Sequence, residues 1–154
     1  MKATVSWQGR LTFTGVADTG FEIPLGSSQK AGGDEDGLRP MELIALGLAG
    51  CTAMDVISIL QKKRQKVTDF RVEVHAEQAG EHPRVFTRLR VDYHVTGNGV
   101  EEEAVVRSIE LSATRYCPVH GMLASVVPIE MRYHIYQAWE DREPELVSSG
   151  EYKA

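Results

Sequence analysis

Cysteine is scarce in this chain, with Cys51 and Cys117 as the only two among 154 residues. Two cysteines cannot build a disulfide-rich scaffold, and in a reducing compartment a bond between them is more typical of transient catalytic or sensing chemistry than of a structural link. If the two sulfurs meet in the fold, the chain is a dithiol redox protein. The two thiols are therefore the first candidates for a functional site.

Excess positive charge and long apolar runs are also lacking. The formal net charge is −5, which argues against a polyanionic partner and predicts no binding to nucleic acid. No uninterrupted apolar stretch reaches the roughly 18 residues that span a bilayer, and residues 1–7 lack the apolar core of a signal peptide. We therefore expect no membrane association and a cytoplasmic protein.

Hydrophobic periodicity divides the chain into strands and helices. Alternation with period two predicts strands, and an apolar pattern with period 3.6 predicts helices. The predicted strands are 2–8, 10–16, 21–24, 68–78, 85–95 and 128–139. The predicted helices are 40–63, which begins at Pro40, 101–116, and a short segment that ends near 125. Residues 26–37 are rich in glycine, serine and aspartate, and they predict an exposed, mobile loop.

The order of these elements indicates an α+β fold with mostly antiparallel pairing, because runs of strands outnumber strict strand and helix alternation. A mass of 17.1 kDa fits one domain. We place that single domain at 1–139. The charged residues 140–154 are expected to form a frayed, mobile tail.

The helix that begins at Pro40 is apolar on nearly every side between Leu43 and Leu60. A helix that is apolar all round is buried all round, and in a domain this small that takes two sheets or a second chain. Gly47 and Gly50 each cost about 1 kcal/mol relative to alanine in a helix interior, which is tolerated where another backbone packs close. These features predict a homodimer.

The two thiols occupy different local settings. Cys51 lies in mid-helix, so a lowered thiol pKa would need a nearby cation, for which Arg10, Arg39 and Arg115 are candidates. Cys117 directly precedes a proline and is predicted to be a helix N-cap, where the helix dipole favours the thiolate. Physical chemistry alone therefore nominates Cys117 as the more acidic thiol.

Two polar residues lie near the thiols in sequence. Asp55 follows Cys51 by one helical turn, and its charge would raise a neighbouring thiol pKa rather than lower it. We expect it to pair with a cation at the sheet or subunit boundary. His120 invites a zinc site together with Cys51 and Cys117, but structural zinc sites usually have four ligands. We expect a partly exposed, hydrogen-bonded His120 and predict no metal and no cofactor, with zinc kept as an alternative.

The run from Pro40 to Cys51, combined with Tyr116-Cys117-Pro118-Val119, resembles the OsmC/Ohr family of osmotically inducible and organic hydroperoxide resistance proteins. The resemblance implies antiparallel sheets packed on a long buried central helix, in an intertwined homodimer with active sites at the interface. It also implies a peroxiredoxin-like organic hydroperoxide reductase that acts in defence against oxidative stress.

In such a family member Cys51 attacks the peroxide and becomes a sulfenic acid, Cys117 condenses with it to a disulfide, and an external dithiol restores both thiols. These implied roles reverse the nomination of Cys117 as the more reactive thiol. The substrates would be organic hydroperoxides, including those of fatty acids.

Three further site residues follow from the same resemblance. Arg10 resembles the arginine that organises the attacking thiolate, and Arg39 is a second candidate cation. The position of the family's glutamate is taken by Met41, and the adjacent Glu42 points about 100° away on a helix. This departure leaves an alternative function open, in which a catalytically weak homodimer senses redox state or binds an apolar small molecule.

Overall fold

The computed structural model describes residues 1–153 and has an α+β fold, as the sequence predicts. The strands are β1 (Ala3–Gly9), β2 (Thr12–Ala17), β3 (Glu22–Leu25), β4 (Val67–Gln78), β5 (Phe86–Gly97), β6 (Ile129–Gln137) and β7 (Glu145–Tyr152). The helices are α1 (Pro40–Lys62), α2 (Glu102–Leu111) and α3 (Pro118–Leu123). The chain contacts divide into two compact units, Met1–Ile44 and the residues from Ala45 onward. The proposed single domain over 1–139 stays a prediction.

The first unit is a three-stranded antiparallel sheet in the order β1-β2-β3, followed by a loop. The loop is less free than its composition indicates. The backbone N–H of Leu38 donates to Pro24, and the N–H of Gly26 donates to Leu38, so both ends of the loop are hydrogen-bonded to each other. Gly33 is buried against Ser27, where a Cβ atom would lie 2.2 Å from the Ser27 carbonyl oxygen.

The second unit contains a four-stranded sheet in the order β4-β5-β6-β7. Its pairs are antiparallel except β5 with β6, which are parallel because α2 and α3 lie between them in sequence and form the crossover. Alternate side chains of β5 face the core, namely Leu89, Val91, Tyr93 and Val95, all at most 1% exposed. The intervening side chains lie on the opposite face of the sheet.

Helix α1 begins with half of a capping box, in which the Glu42 carboxylate accepts a hydrogen bond from the backbone N–H of Arg39 at 2.9 Å. The expectation of burial all round is wrong within one protomer. Only a stripe spaced four residues apart is buried, whereas Leu46 and Met54 are 53% and 71% exposed. The stripe consists of Leu48, Thr52, Val56 and Leu60.

The exposed side of α1 includes Gly47, whose added Cβ atom would meet no other atom within 4 Å. The close backbone neighbour that the two glycines predict is therefore not part of this protomer. Among the described residues α1 is the one helix long and apolar enough to cross a membrane by length and composition, a test that the core helix of a soluble protein also passes.

The predicted helix over 101–116 is interrupted. The α-helix ends at Leu111, and residues Ser112–Tyr116 form a π-helical turn. The backbone N–H of Cys117 closes this turn by donating to the carbonyl of Ser112 at 2.9 Å, five residues earlier. The extra residue in the turn changes the side-chain phase just before Cys117, and such bulges are frequent at functional sites.

The C-terminal segment departs from the expected frayed tail, because it contains β7. This strand pairs antiparallel with β6 and covers what would otherwise be an unpaired sheet edge. Ser148 of β7 also donates a hydrogen bond to the Glu102 carboxylate at the start of α2. Backbone pairing therefore holds this segment in place despite its high charge, which the sequence prediction weighted too heavily.

Candidate functional site

The structure brings the two cysteines together. The sulfur atoms of Cys51 and Cys117 and a carboxylate oxygen of Asp55 all lie within 4.8 Å of one another. Both thiols are free, with Cys117 buried and Cys51 half-buried. Forming a disulfide bond of about 2.05 Å would thus need sulfur movements of less than about 3 Å.

Three elements position these groups. Cys51 and Asp55 are four residues apart on α1 and share one face of the helix. Cys117 follows the π-helical turn and is the N-cap of α3, where its sulfur accepts a hydrogen bond from the backbone N–H of His120 at 3.3 Å. The predicted N-cap position of Cys117 is confirmed.

The acidity predicted from that N-cap position is wrong. Burial raises the pKa of the Cys117 thiol to about 11, and the neighbouring Cys51 and Asp55 act in the same direction. The His120 N–H acts to lower the pKa, but it does not offset these effects. A helix N-terminus favours a thiolate by a modest amount, whereas loss of solvation in a buried site disfavours any anion more strongly.

A chain of buried hydroxyl groups leads to the Asp55 carboxylate. The Ser112 hydroxyl donates to Asp55 at 3.0 Å and lies 2.9 Å from the Thr52 hydroxyl, which lies 2.7 Å from the hydroxyl of Tyr93. Because the one hydrogen of the Ser112 hydroxyl is donated to Asp55, Thr52 donates to Ser112 and Tyr93 donates to Thr52. The chain fixes the carboxylate beside the two sulfurs.

Sequence reasoning missed these hydroxyl residues. One signal for Thr52 was present, since it is the polar member of an otherwise apolar stripe spaced four residues apart on α1. Buried polar groups in such a stripe need hydrogen-bond partners and so mark a network. Ser112 gave no comparable signal, because its place depends on the π-helical turn.

The expectation that Asp55 pairs with a cation within its own chain is wrong for the part of the chain that the structure describes, and pairing at a subunit boundary stays a prediction. The ion pairs of residues 1–153 do not include Asp55. Its hydrogen-bond partner is the neutral hydroxyl of Ser112. Asp55 is thus a carboxyl group held next to the thiols of Cys51 and Cys117.

His120 is half-buried, and its ring does not belong to the group formed by the two sulfurs and Asp55. Its backbone N–H contacts Cys117, but its ring atom Nδ1 is buried and has no hydrogen-bond partner among the described residues. Burial lowers the pKa of His120, and a hydrogen bond to the Ala113 backbone acts in the opposite direction. The partial exposure expected for this residue is confirmed, and the zinc site built from His120 is not supported.

The other predicted site residues lie in the first unit and have partners there. Arg10, in a turn with φ of 46°, pairs with Asp34 and donates to the Gly32 carbonyl at 3.1 Å. Arg39 has an exposed side chain, and Glu42 caps α1. The catalytic roles of Arg10, Arg39 and Glu42 stay predictions.

Two grooves accompany these residues, one in each unit. The groove in the second unit has a volume of about 320 Å³, and its lining includes Asp55, Lys62 and Tyr116. The groove in the first unit has a volume of about 480 Å³ and a largely apolar lining. Its lining includes Val5, Leu11, Phe13, Leu25, Pro40 and Leu43.

Comparison with known proteins agrees with this fold. Residues 32–132 match the family described as OsmC-like protein. Protein YhfA of Escherichia coli strain K12 is 39% identical over 138 residues, which cover 90% of this chain and all of YhfA.

Solved structures give the same result. A hypothetical protein from Aquifex aeolicus VF5 superimposes with a TM-score of 0.78 at 26% identity, covering 90% of this chain and 97% of that one. An organic hydroperoxide resistance protein from Elizabethkingia anophelis has a TM-score of 0.63 at 21% identity, covering 86% and 92% of the two chains. The chain therefore belongs to the OsmC-like protein family.

Proposed function

We propose that this protein is a thiol-dependent peroxidase that reduces organic hydroperoxides, including those of fatty acids, in defence against oxidative stress. The observation that carries the proposal is the pair of free thiols, Cys51 and Cys117, with sulfur atoms within 4.8 Å in a family fold. Because the relatives described as organic hydroperoxide resistance proteins are at most 21% identical, they support the fold, and the chemistry rests on the thiols.

The proposed cycle has three steps. The Cys51 thiolate attacks one peroxide oxygen, the O–O bond breaks, and the alcohol leaves after it takes up a proton, so that Cys51 becomes a sulfenic acid. The Cys117 sulfur then attacks the Cys51 sulfur, the S–O bond breaks, and water leaves as the disulfide forms. An external dithiol in a reducing cytoplasm returns the disulfide to two thiols, which balances the two electrons given to the peroxide.

The environment of Cys117 supports this division of roles. With a pKa of about 11 the Cys117 thiol keeps its proton at neutral pH, and a protonated thiol is a poor nucleophile toward peroxide. Attack on a sulfenic acid held a few ångströms away is a less demanding task, because proximity replaces a bimolecular encounter. Cys51 is therefore the attacking residue in this proposal, and Cys117 is the resolving residue.

A thiol titration of the reduced protein tests the peroxidase proposal. One equivalent of cumene hydroperoxide should consume both thiols and give an intramolecular disulfide. Cys51→Ser should slow the loss of thiol by about two orders of magnitude or more, since only Cys117 with its raised pKa remains. Cys117→Ser, the same chemical change at the other thiol, should leave a sulfenic acid that dimedone traps. Unchanged thiols in the unsubstituted protein would contradict the proposal.

We further propose that the active form is a homodimer. The exposed apolar side of α1, which includes Leu46 and Met54, would be covered by a second copy, in agreement with the dimer expected from the family resemblance. Gly47 offers open space for a neighbouring backbone on this helix. Sedimentation equilibrium should give twice the 17.1 kDa chain mass. Gly47→Ala should weaken the dimer if a partner packs there, and a monomer at micromolar concentration would contradict the idea.

A second candidate function is favoured by the apolar groove of the first unit. Its volume of about 480 Å³ suits a small apolar ligand, whether or not the thiols react. A fluorescent fatty acid is a suitable probe. If the protein is mainly a binding module, Cys51→Ser should keep the affinity of the unsubstituted protein, and absence of saturable binding to either form would exclude this function.

A further inference from the structure

The group formed by Cys51, Asp55 and Cys117 has the composition of a metal site. Among residues 1–153 it is the one set of three or more potential ligand residues whose ligand atoms all lie within 4.8 Å of one another. Zinc bound to sulfur at about 2.3 Å and to oxygen at about 2.0 Å keeps its ligand atoms about 3.4–3.8 Å apart in a tetrahedron. Small side-chain rotations would close the present set to that size.

The local structure also matches the way proteins hold zinc. Cys51 and Asp55 lie four residues apart on one face of α1, the spacing by which a helix presents two ligands to one ion. Cys117 approaches from a separate element, and its sulfur already accepts an N–H hydrogen bond from His120. Two sulfur ligands favour zinc over magnesium or calcium, which prefer oxygen ligands only.

The surroundings of the three ligands supply the outer contacts that metal sites need. Ser112 donates to the Asp55 carboxylate and is supported by Thr52, so the chain of hydroxyl groups holds the carboxylate oriented. No cation of the described residues forms an ion pair with Asp55, although Lys62 lines the same groove. The Asp55 carboxylate thus has no cation in direct contact among the described residues and is free to bind a metal ion.

We propose that the reduced protein binds one Zn²⁺ per chain through the Cys51 and Cys117 sulfurs and the Asp55 carboxylate. Three protein ligands leave a fourth position for water. The groove of about 320 Å³ that is lined by Asp55 and Tyr116 gives the ion a path from solvent. The site stands whether or not the thiols act as a peroxidase, and bound zinc would shield both thiols from oxidants.

Metal titration of the reduced, chelator-treated protein tests this proposal. Zinc should bind one equivalent in competition with a chromophoric chelator. Cobalt, used as a spectroscopic substitute, should give the near-ultraviolet band of thiolate-to-metal charge transfer. Oxidation to the disulfide should abolish both signals. Absence of stoichiometric zinc, or of the cobalt band, in the reduced protein would overturn the proposal.

Substitution of Asp55 tests whether the carboxylate is a third zinc ligand beside the two sulfurs. Asp55→Asn should weaken zinc binding at least about tenfold while both thiols stay titratable, because a charged ligand is lost. Asp69→Asn, the same change at an exposed position of β4, should bind zinc as the unsubstituted protein does. Equal affinity of Asp55→Asn and the unsubstituted protein would overturn the assignment of Asp55.

Two controls keep these outcomes distinct from folding and from the peroxidase proposal. Circular dichroism checks that each variant folds. If Asp55→Asn does not fold, Cys51→Ser is measured in its place and should lose the cobalt band. An unchanged cobalt band in Cys51→Ser would overturn the site. The peroxide reaction is measured separately on metal-free protein. Failure of that reaction would remove the proposed peroxidase function and leave the zinc result unaffected.

Discussion

Two carboxylates in the second unit, the buried Asp92 and the half-buried Asp55, are held in opposite ways. On the sheet face opposite the core, Asp92 has an 8% exposed side chain and is surrounded by nitrogen groups. Arg90 lies 2.8 Å from it, His134 3.2 Å and His75 3.6 Å. In the corner between α1 and α3, Asp55 accepts a hydrogen bond from a neutral hydroxyl and lies beside two thiols.

The two carboxylates differ in how far their surroundings compensate the charge. Burying a charge is unfavourable unless cations and hydrogen bonds compensate it, and Asp92 meets that requirement fully. Asp55 is half-buried, its hydrogen-bond partner is a neutral hydroxyl, and it disfavours ionisation of Cys117. A strongly perturbed thiol such as Cys117 is typical of sites that react or bind ions. The outer face of the sheet thus has the contacts of a stabilising cluster, and the corner between the helices is the candidate site for the proposed chemistry.

The largest expected effect concerns stability at alkaline pH. The pKa of Cys117 is raised from 9.0 to about 11, so the unfolded chain releases this proton first as pH increases. The contribution to stability is complete below about pH 9 and is lost as pH rises toward 11, by about 3 kcal/mol in the free energy of unfolding. Urea unfolding of Cys117→Ser should lack this loss. If the free energy of unfolding has the same pH dependence in Cys117→Ser and the unsubstituted protein, this contribution of Cys117 is contradicted.

Removal of charge from the compensated carboxylate should have the next largest effect. Asp92→Asn leaves Arg90 without its anion and should lower the free energy of unfolding by about 2 kcal/mol, measured by urea denaturation near neutral pH. Asp55→Asn, the matched change at the uncompensated carboxylate, should alter it by less than about 1 kcal/mol. An equal loss in both variants would remove the distinction between the two regions.

The smallest expected effect is on thiol ionisation. In a Cys51→Ser background the ultraviolet absorbance of the thiolate reports Cys117 alone. Adding Asp55→Asn should lower the pKa of Cys117 by less than about one pH unit, because a nearby negative charge is removed while burial is unchanged. Adding Asp92→Asn should leave the pKa of Cys117 unchanged. A rise in the pKa after Asp55→Asn would contradict the proposed charge effect.

Much of the fold could be predicted because it depends on local patterns. The strands of the first unit, the start of α1 at Pro40 and the strand near 68–78 agree with the sequence to within two residues at each end. The π-helical turn and β7 could not be predicted in this way. The turn depends on packing around Ser112, and β7 depends on pairing with β6, which is distant in sequence.

The site was predictable in part for the same reason. Scarcity of cysteine singled out Cys51 and Cys117, and the helical period placed Asp55 beside Cys51. Their charge state was not predictable. The local rule for a helix N-cap indicated an acidic Cys117, whereas the buried, acid-rich surroundings that the fold creates have the opposite effect.

The sequence by itself determined the α+β order of elements, the apolar α1, the two candidate thiols and the family resemblance, because composition and periodicity express short-range preferences of the backbone and side chains. Only the tertiary structure decided that the sulfurs meet, that Asp55 joins them without a cation, and that Cys117 keeps its proton. Distances and solvation depend on which distant segments pack together, and no local pattern contains that information.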